Sequence, residues 1–197
     1  KVFGIFNGTS NYILSSMDKE NKSFKEVLQN AQKLGYAESN PTSDLNGEDV
    51  AAKLKILSSL CFNSFLNDNI HVEGIKDIDK DDINYANRLG YKIKLLGYAE
   101  LIGKNIFQRV HPTLIRNSSN VASIDGVLNA VIIDGNPVGQ NIIQGEGAGP
   151  AATTSALISD ISSILRGNIK FPFSISNKER KKLNFKQISE RSFSAYF

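Results

Sequence analysis

A lysine and an aspartate stand four positions apart in the segment GYAESNPTSDLNGEDVAAK, residues 35–53. If a helix covers Asp49 and Lys53, the two side chains share one face, with the acidic residue first, which is the favourable order for an ion pair. A lysine partly removed from water and held by a carboxylate can donate a proton in a defined direction. The alternative is a surface salt bridge, which contributes only a few tenths of a kcal/mol.

Two glycine-containing turns are further candidates. The sequence GEGAG at residues 145–149 precedes a helical pattern, where backbone N–H groups can meet an anion or a polar ligand edge. It matches neither the dinucleotide fingerprint nor the P-loop, and a tight strand-to-helix turn explains it equally well. At Asn7-Gly8-Thr9, Gly8 permits close backbone approach and Thr9 can hold a carboxylate, although a simple helix N-cap is the alternative.

The remaining chemical groups do not indicate a site. His71 and His111 have no cysteine or further histidine beside them, so we predict no metal centre. Cys61 follows apolar helical positions and is interpreted as a small core residue. The basic cluster at residues 178–182 is interpreted as part of a solvated tail.

Helices are expected to dominate the first half of the chain. A strand over residues 1–7 leads to a helix capped by Thr9 or Ser10. Ser23 and Glu26 have the spacing of a capping box, which predicts a second helix. That helix should end at Gly35, with its apolar face formed by Phe24, Val27, Leu28, Ala31 and Leu34. After a polar loop over residues 36–46, a third helix should cover residues 47–62, with an apolar stripe formed by Val50, Ala51, Leu54, Ile56, Leu57 and Leu60. An irregular stretch over residues 63–75 should follow, and then a short fourth helix that ends near Gly90.

The pattern changes to alternating strands after Gly90. YKIKLLGYAEL and NIFQRVHPTL alternate apolar and polar residues around a turn at residues 103–105. NAVIID and PVGQNIIQG form a second hairpin around Gly135-Asn136, and a helix of about four turns follows the glycine turn. Helices followed by antiparallel strands indicate an α+β fold, with the helices on one face of a mostly antiparallel sheet.

Composition excludes several classes of protein. The 197 residues are 41% hydrophobic and 22% charged, which is ordinary for one globular domain or two small ones, and no apolar run approaches the length of a membrane span. A single cysteine excludes a disulfide framework and fits a reducing compartment, so we expect a cytoplasmic protein. A net charge of +3 without a basic stripe and interleaved aromatics gives little support to nucleic-acid binding.

Five segments in order now resemble homoserine dehydrogenase over about residues 3–166: GIFNGTSNYIL, LGYAESNPTSDLNGEDVAAKLKIL, RVHPTLI, SIDGVLNAV and QGEGAG before a Ser/Thr/Ala-rich helix. The second segment is specific, and the order of the others strengthens the match. The resemblance implies a fold like the C-terminal domain of glyceraldehyde-3-phosphate dehydrogenase. It also implies reduction of L-aspartate 4-semialdehyde to L-homoserine with NADPH or NADH, in the biosynthesis of threonine, methionine and isoleucine.

The resemblance implies roles for individual residues. Lys53 matches the proton donor to the nascent alkoxide, Asp49 the aspartate beside it, and Asp44 the acidic residue of the preceding loop, so these three are the expected catalytic positions. The implied substrate-binding residues are Glu38, for the ammonium group, with Tyr36, Thr9 and Gly8, and the implied contacts to the nicotinamide end of the cofactor are Gly145, Gly147, Ala148 and Gly149.

Parts of the family pattern do not occur in this sequence. The glycine-rich fingerprint of the family's nucleotide-binding domain is missing, so NADP or NAD is expected to bind mainly through a domain upstream of Lys1. The start at Lys1 is interpreted as a cut, and ERSFSAYF as the beginning of a strand towards a regulatory domain. We expect a catalytic and dimerisation domain over residues 1–167, a linker or tail over 168–197, and no turnover by this chain alone.

Two readings of this domain stay open. The first is the catalytic domain itself, joined to a second copy through the sheet at residues 91–144, as the resemblance implies. The second is a non-catalytic oligomerisation or ligand-binding module that keeps the fold. Retention of Glu38, Asp44, Asp49 and Lys53 favours the first, which requires these side chains and Thr9 to line one cleft beside residues 147–149.

Overall fold

The computed structural model describes residues 1–65, 70–168 and 175–190, and it has an α+β architecture. In chain order the elements are β1 (Val2–Ile5), α1 (Gly8–Glu20), α2 (Phe24–Lys33), α3 (Thr42–Leu45), α4 (Glu48–Phe62), β2 (His71–Val72), α5 (Lys80–Arg88), β3 (Tyr91–Ile102), β4 (Asn105–Arg116), β5 (Leu128–Gly135), β6 (Gly139–Glu146), α6 (Pro150–Leu165) and β7 (Asn184–Lys186), with short 3₁₀ turns at Asn120–Ser123 and Ile188–Glu190. None of these helices has the length and hydropathy that a bilayer-spanning helix needs.

The sheet has the strand order β2-β4-β3-β1-β5-β6, with β7 also paired to β4. All pairs are antiparallel except those that β2 and β7 make with β4. The longest hairpin, β3–β4, pairs every residue from Tyr91↔Arg116 to Ile102↔Asn105. The predicted mostly antiparallel sheet is therefore confirmed.

Helices α1, α4 and α5 cover one face of the sheet, and α2 packs on α1. Alternate residues of β3, including Leu95 and Ala99, point to this face and pack with Leu14 and Leu54 from the helices. A smaller apolar cluster lies on the opposite face and consists of Ile5, Leu96, Val121, Ile124, Ala130 and Ile132. The sheet is thus buried most deeply around β1, whose end leads directly into α1.

A buried lysine joins α1 to the sheet. Lys94 of β3 is only 2% exposed, and its Nζ donates to Asn11 Oδ1 at 3.1 Å, Ser15 Oγ at 3.2 Å and Asp125 Oδ1 at 2.7 Å. Burial lowers the pKa of Lys94, against the opposing effect of Asp125. Burial also works against the charged form of Asp125, but its hydrogen bonds with Lys94 and Lys19 prevail and lower its pKa to about 2. This cluster holds α1 to strand β3.

Several predicted apolar positions are wrong. Leu34, Ile56 and Leu60 are exposed rather than inward, and Cys61 is exposed rather than a core residue. Only one face of α4 meets the sheet, and Ile56 and Leu60, four residues apart, share a different face from Leu54. The capping box of α2 is confirmed, and Gly35 follows the C-cap Leu34 in the left-handed conformation that is typical of a glycine ending a helix.

Three segments predicted as irregular contain short elements. Helix α3 lies within the polar loop, β2 lies within residues 63–75, and β7 lies in the tail. The basic cluster is only partly solvated, because Arg180 Nη1 donates to Ser59 Oγ at 3.3 Å and to the carbonyl of Ser64 at 3.2 Å. Residues 191–197 of the predicted strand ERSFSAYF lie outside the described residues.

Candidate active site

The Lys53 ammonium lies between helix α4 and the end of β1. Its Nζ donates to Asp49 Oδ2 at 2.7 Å and to the backbone carbonyl of Phe6 at 2.9 Å. Asp49 stands in the first turn of α4, where the helix dipole favours a negative charge. An ammonium has three protons, and no third acceptor for Lys53 occurs in the described part of the chain. With its side chain 44% exposed, Lys53 can offer the third proton to a ligand.

The side chain of Asn7 connects this lysine–aspartate pair to a second carboxylate. Asn7 Nδ2 donates to Asp49 Oδ2 at 2.9 Å and to Asp44 Oδ1 at 2.7 Å. Its Oδ1 accepts from the backbone N–H of Ser10 at 2.8 Å, so Asn7 is also the N-cap of α1. The prediction of Thr9 or Ser10 as the N-cap is therefore wrong, because the helix begins at Gly8, before either of those residues.

The first turn of α1 makes two further hydrogen bonds to the polar loop over residues 36–46, the acidic loop, which carries Glu38 and Asp44. The Thr9 hydroxyl donates to the backbone carbonyl of Tyr36 at 2.7 Å, and the Ser10 hydroxyl donates to that of Asp44 at 2.8 Å. The ring of Tyr36 also lies 4.9 Å from that of Tyr12 on the same helix. The structure thus joins Asp44 to the lysine–aspartate pair through Asn7, and it joins Tyr36 to the first turn of α1 through Thr9.

Glu38 and Gly8 are less directly involved in this network. The Glu38 side chain is exposed, and within the described residues its carboxylate makes no hydrogen bond or ion pair, while its backbone carbonyl accepts from Gln32 Nε2 at 3.2 Å. A Cβ on Gly8 would lie 2.7 Å from the carbonyl oxygen of Val127. Gly8 therefore has a packing reason to lack a side chain, independent of any ligand.

Gly147 of the glycine turn packs against Asn129, whose side chain reaches the Phe6 carbonyl beside Lys53. A Cβ on Gly147 would lie only 1.9 Å from Asn129 Nδ2, and that amide is 3.4 Å from the Phe6 carbonyl that also accepts from Lys53. Gly149 precedes α6 with a φ of 107°, which favours glycine, and no side chain caps the first N–H groups of α6. Gly145 lies in β6 and pairs with Asn129, whereas Ala148 lies in the exposed turn after that strand, and no described hydrogen bond joins either residue to the carboxylates.

Two asparagines at the site were not predicted as site residues. Asn7 was considered only as part of a possible cap, and Asn129 only as part of a strand. Their partners are far away along the chain, since Asn7 bonds residues 37 and 42 positions later and Asn129 bonds one 123 positions earlier. The only sequence feature that could have indicated these residues is a polar side chain in an apolar stretch. Asn7 directly follows an apolar strand, and Asn129 lies within one.

The arrangement combines a proton donor with an acidic loop. A cationic amine with one unoccupied donor can stabilise negative charge that develops on a ligand oxygen and then transfer a proton to it. The Asp44 carboxylate, joined to the same network through Asn7, is an acceptor that a cationic group could use.

This chain is similar in sequence to one family of known proteins. The family model described as homoserine dehydrogenase matches residues 1–162. The homoserine dehydrogenase of Neisseria gonorrhoeae is 48% identical over 166 residues, which are 84% of this chain and 38% of that protein. The chain therefore spans well under half the length of this relative.

Solved structures give the same result. A homoserine dehydrogenase from Thiobacillus denitrificans superimposes with a TM-score of 0.89 at 39% identity, over 94% of this chain and 45% of that one. A hyperthermophilic archaeal homoserine dehydrogenase mutant, in complex with NADPH, shares the fold with a TM-score of 0.68 at 22% identity, over 89% of this chain and 49% of that one. From its sequence match and its fold, this chain belongs to the homoserine dehydrogenase family.

Proposed function

We propose that this chain is the catalytic domain of a homoserine dehydrogenase that reduces L-aspartate 4-semialdehyde to L-homoserine with a nicotinamide cofactor. The observation that carries the proposal is the Lys53 ammonium, anchored by Asp49 and the Phe6 carbonyl with its third proton available. The product is a precursor of threonine, methionine and isoleucine, and with its single cysteine the enzyme fits the reducing cytoplasm.

In the proposed reaction Lys53 acts on the aldehyde oxygen. When bound, a reduced nicotinamide would provide hydride for the aldehyde carbon, and the aldehyde oxygen would then gain negative charge. The Lys53 ammonium stabilises this charge and delivers the proton that completes the alcohol. In the oxidation of homoserine Lys53 accepts that proton, so this direction should be favoured at high pH.

The acidic loop fits the amino-acid part of the substrate. The substrate carries an ammonium group, which requires a carboxylate acceptor in a confined site. Glu38 is exposed, its carboxylate makes no ion pair in the described residues, and we assign it to this group. Tyr36, Thr9 and Gly8 form the adjoining wall, since Thr9 holds the Tyr36 carbonyl.

The glycine turn fits the nicotinamide end of a cofactor. Gly145, Gly147, Ala148 and Gly149 present no large side chain, so a flat ring can approach the backbone at this point. The uncapped N–H groups of α6 are available to a polar edge. Discrimination between NADP and NAD is assigned to a nucleotide-binding domain, because the chain spans only 38% of the Neisseria relative.

The proposal also covers assembly. We propose that residues 1–167 are the catalytic and dimerisation domain, that 168–197 lead away from it, and that two copies pair through the sheet at residues 91–144. The sheet face opposite the helices supports this, since Phe3, Tyr98 and Arg109 stack on it, with the rings 6.0 Å apart and the Arg109 guanidinium 4.7 Å from the Tyr98 ring.

A direct assay tests the proposed function. The full-length enzyme that contains this chain is incubated with L-homoserine and either NADP or NAD, and formation of reduced nicotinamide is followed. We expect turnover that rises with pH, and we expect none from the 197-residue chain alone. A full-length enzyme that binds homoserine without oxidising it would instead support a non-catalytic module.

A further inference from the structure

Asn7 uses its whole side-chain amide at the centre of the site. Its Oδ1 accepts from the Ser10 N–H at 2.8 Å, and its Nδ2 donates to Asp44 Oδ1 at 2.7 Å and to Asp49 Oδ2 at 2.9 Å. The amide orientation follows from the Ser10 contact, because only the carbonyl oxygen can accept from an N–H group. Asn7 is 6% exposed, so water competes little for these bonds.

This contact joins two carboxylates from different helices. Asp44 lies in α3 and Asp49 in α4, and two like charges this close repel each other unless donors lie between them. Asn7 provides both donors from one nitrogen. Aspartate in its place would add a third carboxylate, and serine has a single hydroxyl proton that could serve only one of them.

Asp49 Oδ2 connects the hydrogen bonds of Asn7 to the proposed proton donor, Lys53. This one oxygen accepts from Asn7 Nδ2 and from Lys53 Nζ, which lies 2.7 Å away. A shift of the Asp49 carboxylate therefore moves the lysine relative to the acidic loop. A misplacement of about 1 Å in such a site costs on the order of 100-fold in rate.

Resting on the proposed function, we propose that Asn7 is a positioning residue. Its amide fixes the distance between the proton-donor pair Asp49–Lys53 and Asp44 in the acidic loop. Asn7 itself does not touch the reacting atoms. It sets where the proton arrives relative to the amino-acid group of the substrate, and it does so from the N-cap of α1.

Two variants of Asn7 and one matched control test this role in the full-length enzyme. Asn7→Ser and Asn7→Asp both keep an oxygen that can cap α1, since serine and aspartate are as good at this position as asparagine. Asn11→Ser is the control, because Asn11 lies on α1, is 2% exposed and has no described hydrogen bond to Asp44 or Asp49. It donates to the backbone carbonyls of Ile124 and Leu128 and accepts from Lys94.

The kinetic readout separates positioning from stability. We expect Asn7→Ser to lower kcat/KM for homoserine by about 30-fold, mostly in kcat. We expect Asn7→Asp to move the acid limb of the kcat/KM profile upward by about one pH unit, because three neighbouring carboxylates retain a proton to higher pH. Asn11→Ser should lower the melting temperature and leave the pH profile in place. Asn7 variants that behave like Asn11→Ser would overturn the inference.

A crystal structure of Asn7→Asp in the full-length enzyme tests the geometry without any assay. The inference expects the Asp44 carboxylate to turn away from Asp49. If the Asp44 and Asp49 carboxylates keep their positions in Asn7→Asp, the inference is overturned even when the enzyme is active. If the enzyme without substitutions has no activity, the proposed function is refuted, and the crystal structure still tests the role of Asn7.

Discussion

The two sides of the candidate site differ in how this chain holds them. On the proton-donor side, Asn7, Asp49 and Lys53 are joined by hydrogen bonds of 2.7 to 2.9 Å that connect β1, α1, α3 and α4. On the glycine side, α6 has no buried residue, and Leu157 is 58% exposed. The chain therefore organises its proton donor and carboxylates by itself, while α6 gains little burial from the described part of the chain.

The difference follows from where each helix lies. Helices α1 and α4 each bury an apolar face against the sheet, and most helical stability in proteins comes from such packing. Helix α6 follows β6, an edge strand whose residues are almost all exposed. Gly147 beside Asn129 is the point at which the two sides meet.

The largest expected effect is the loss of the proton donor. Lys53→Ala in the full-length enzyme should lower kcat/KM by at least about 1,000-fold, because it removes both the charge and the proton from the reacting oxygen. Lys55→Ala is the matched control, since residues two positions apart on a helix do not share a face. Steady-state kinetics with both variants measure this, and a Lys53→Ala enzyme within 10-fold of Lys55→Ala would remove the assigned role.

A smaller effect is expected where the two sides meet. Gly147→Ala places a Cβ 1.9 Å from Asn129 Nδ2, so this amide must move away from the Phe6 carbonyl. We expect kcat/KM for the nicotinamide cofactor to fall about 10-fold, because the turn is displaced by a fraction of an ångström.

Gly135→Ala is the control for this substitution. Its Cβ would meet nothing within 4 Å. Equal kinetics for the two alanine variants would show that the position of the glycine turn does not depend on Asn129.

Acid should weaken the scaffold under α1. The fold lowers the pKa of Asp125 from its usual value of 3.8 to about 2, so this carboxylate stabilises the fold above pH 3.8 by about 2 kcal/mol. That effect is lost as the pH falls through about 2. Urea unfolding should show Asp125→Asn less stable than the unaltered chain at pH 7, with the difference closing towards pH 2. Asp160→Asn on exposed α6 should show no such pH dependence.

The smallest effect is expected on α6. Leu157→Ala should change the free energy of unfolding of this chain by less than about 0.5 kcal/mol, because the side chain is already 58% exposed. The same substitution at Leu14, which is 1% exposed, should cost about 2–5 kcal/mol. Chemical denaturation measures both, and a large loss at Leu157 would mean that α6 is packed in solution.

Short-range patterns made part of this structure predictable. The spacing of Asp49 and Lys53 placed them on one helix face, and alternation revealed the long β3–β4 hairpin. The capping box of α2 followed from Ser23 and Glu26. Each of these features depends on residues close together in the chain.

Contacts between distant segments were not predictable in the same way. The strands β2 and β7 are two and three residues long and form only through pairing with β4. Asn7 ends an apolar strand, and nothing near it in sequence indicates that it bridges Asp44 and Asp49. Leu34 and Ile56 look like core residues, but their exposure depends on which helix face meets the sheet.

The most direct test of the central claim is an NMR titration of this 197-residue chain with L-homoserine. We expect saturable shifts at the Asn7 side-chain amide and at the first turns of α1 and α4, with residues 145–149 unaffected. Homoserine shifts confined to α6 and the glycine turn, or no shifts at any concentration, would contradict a proton-donor side that is organised by this chain alone.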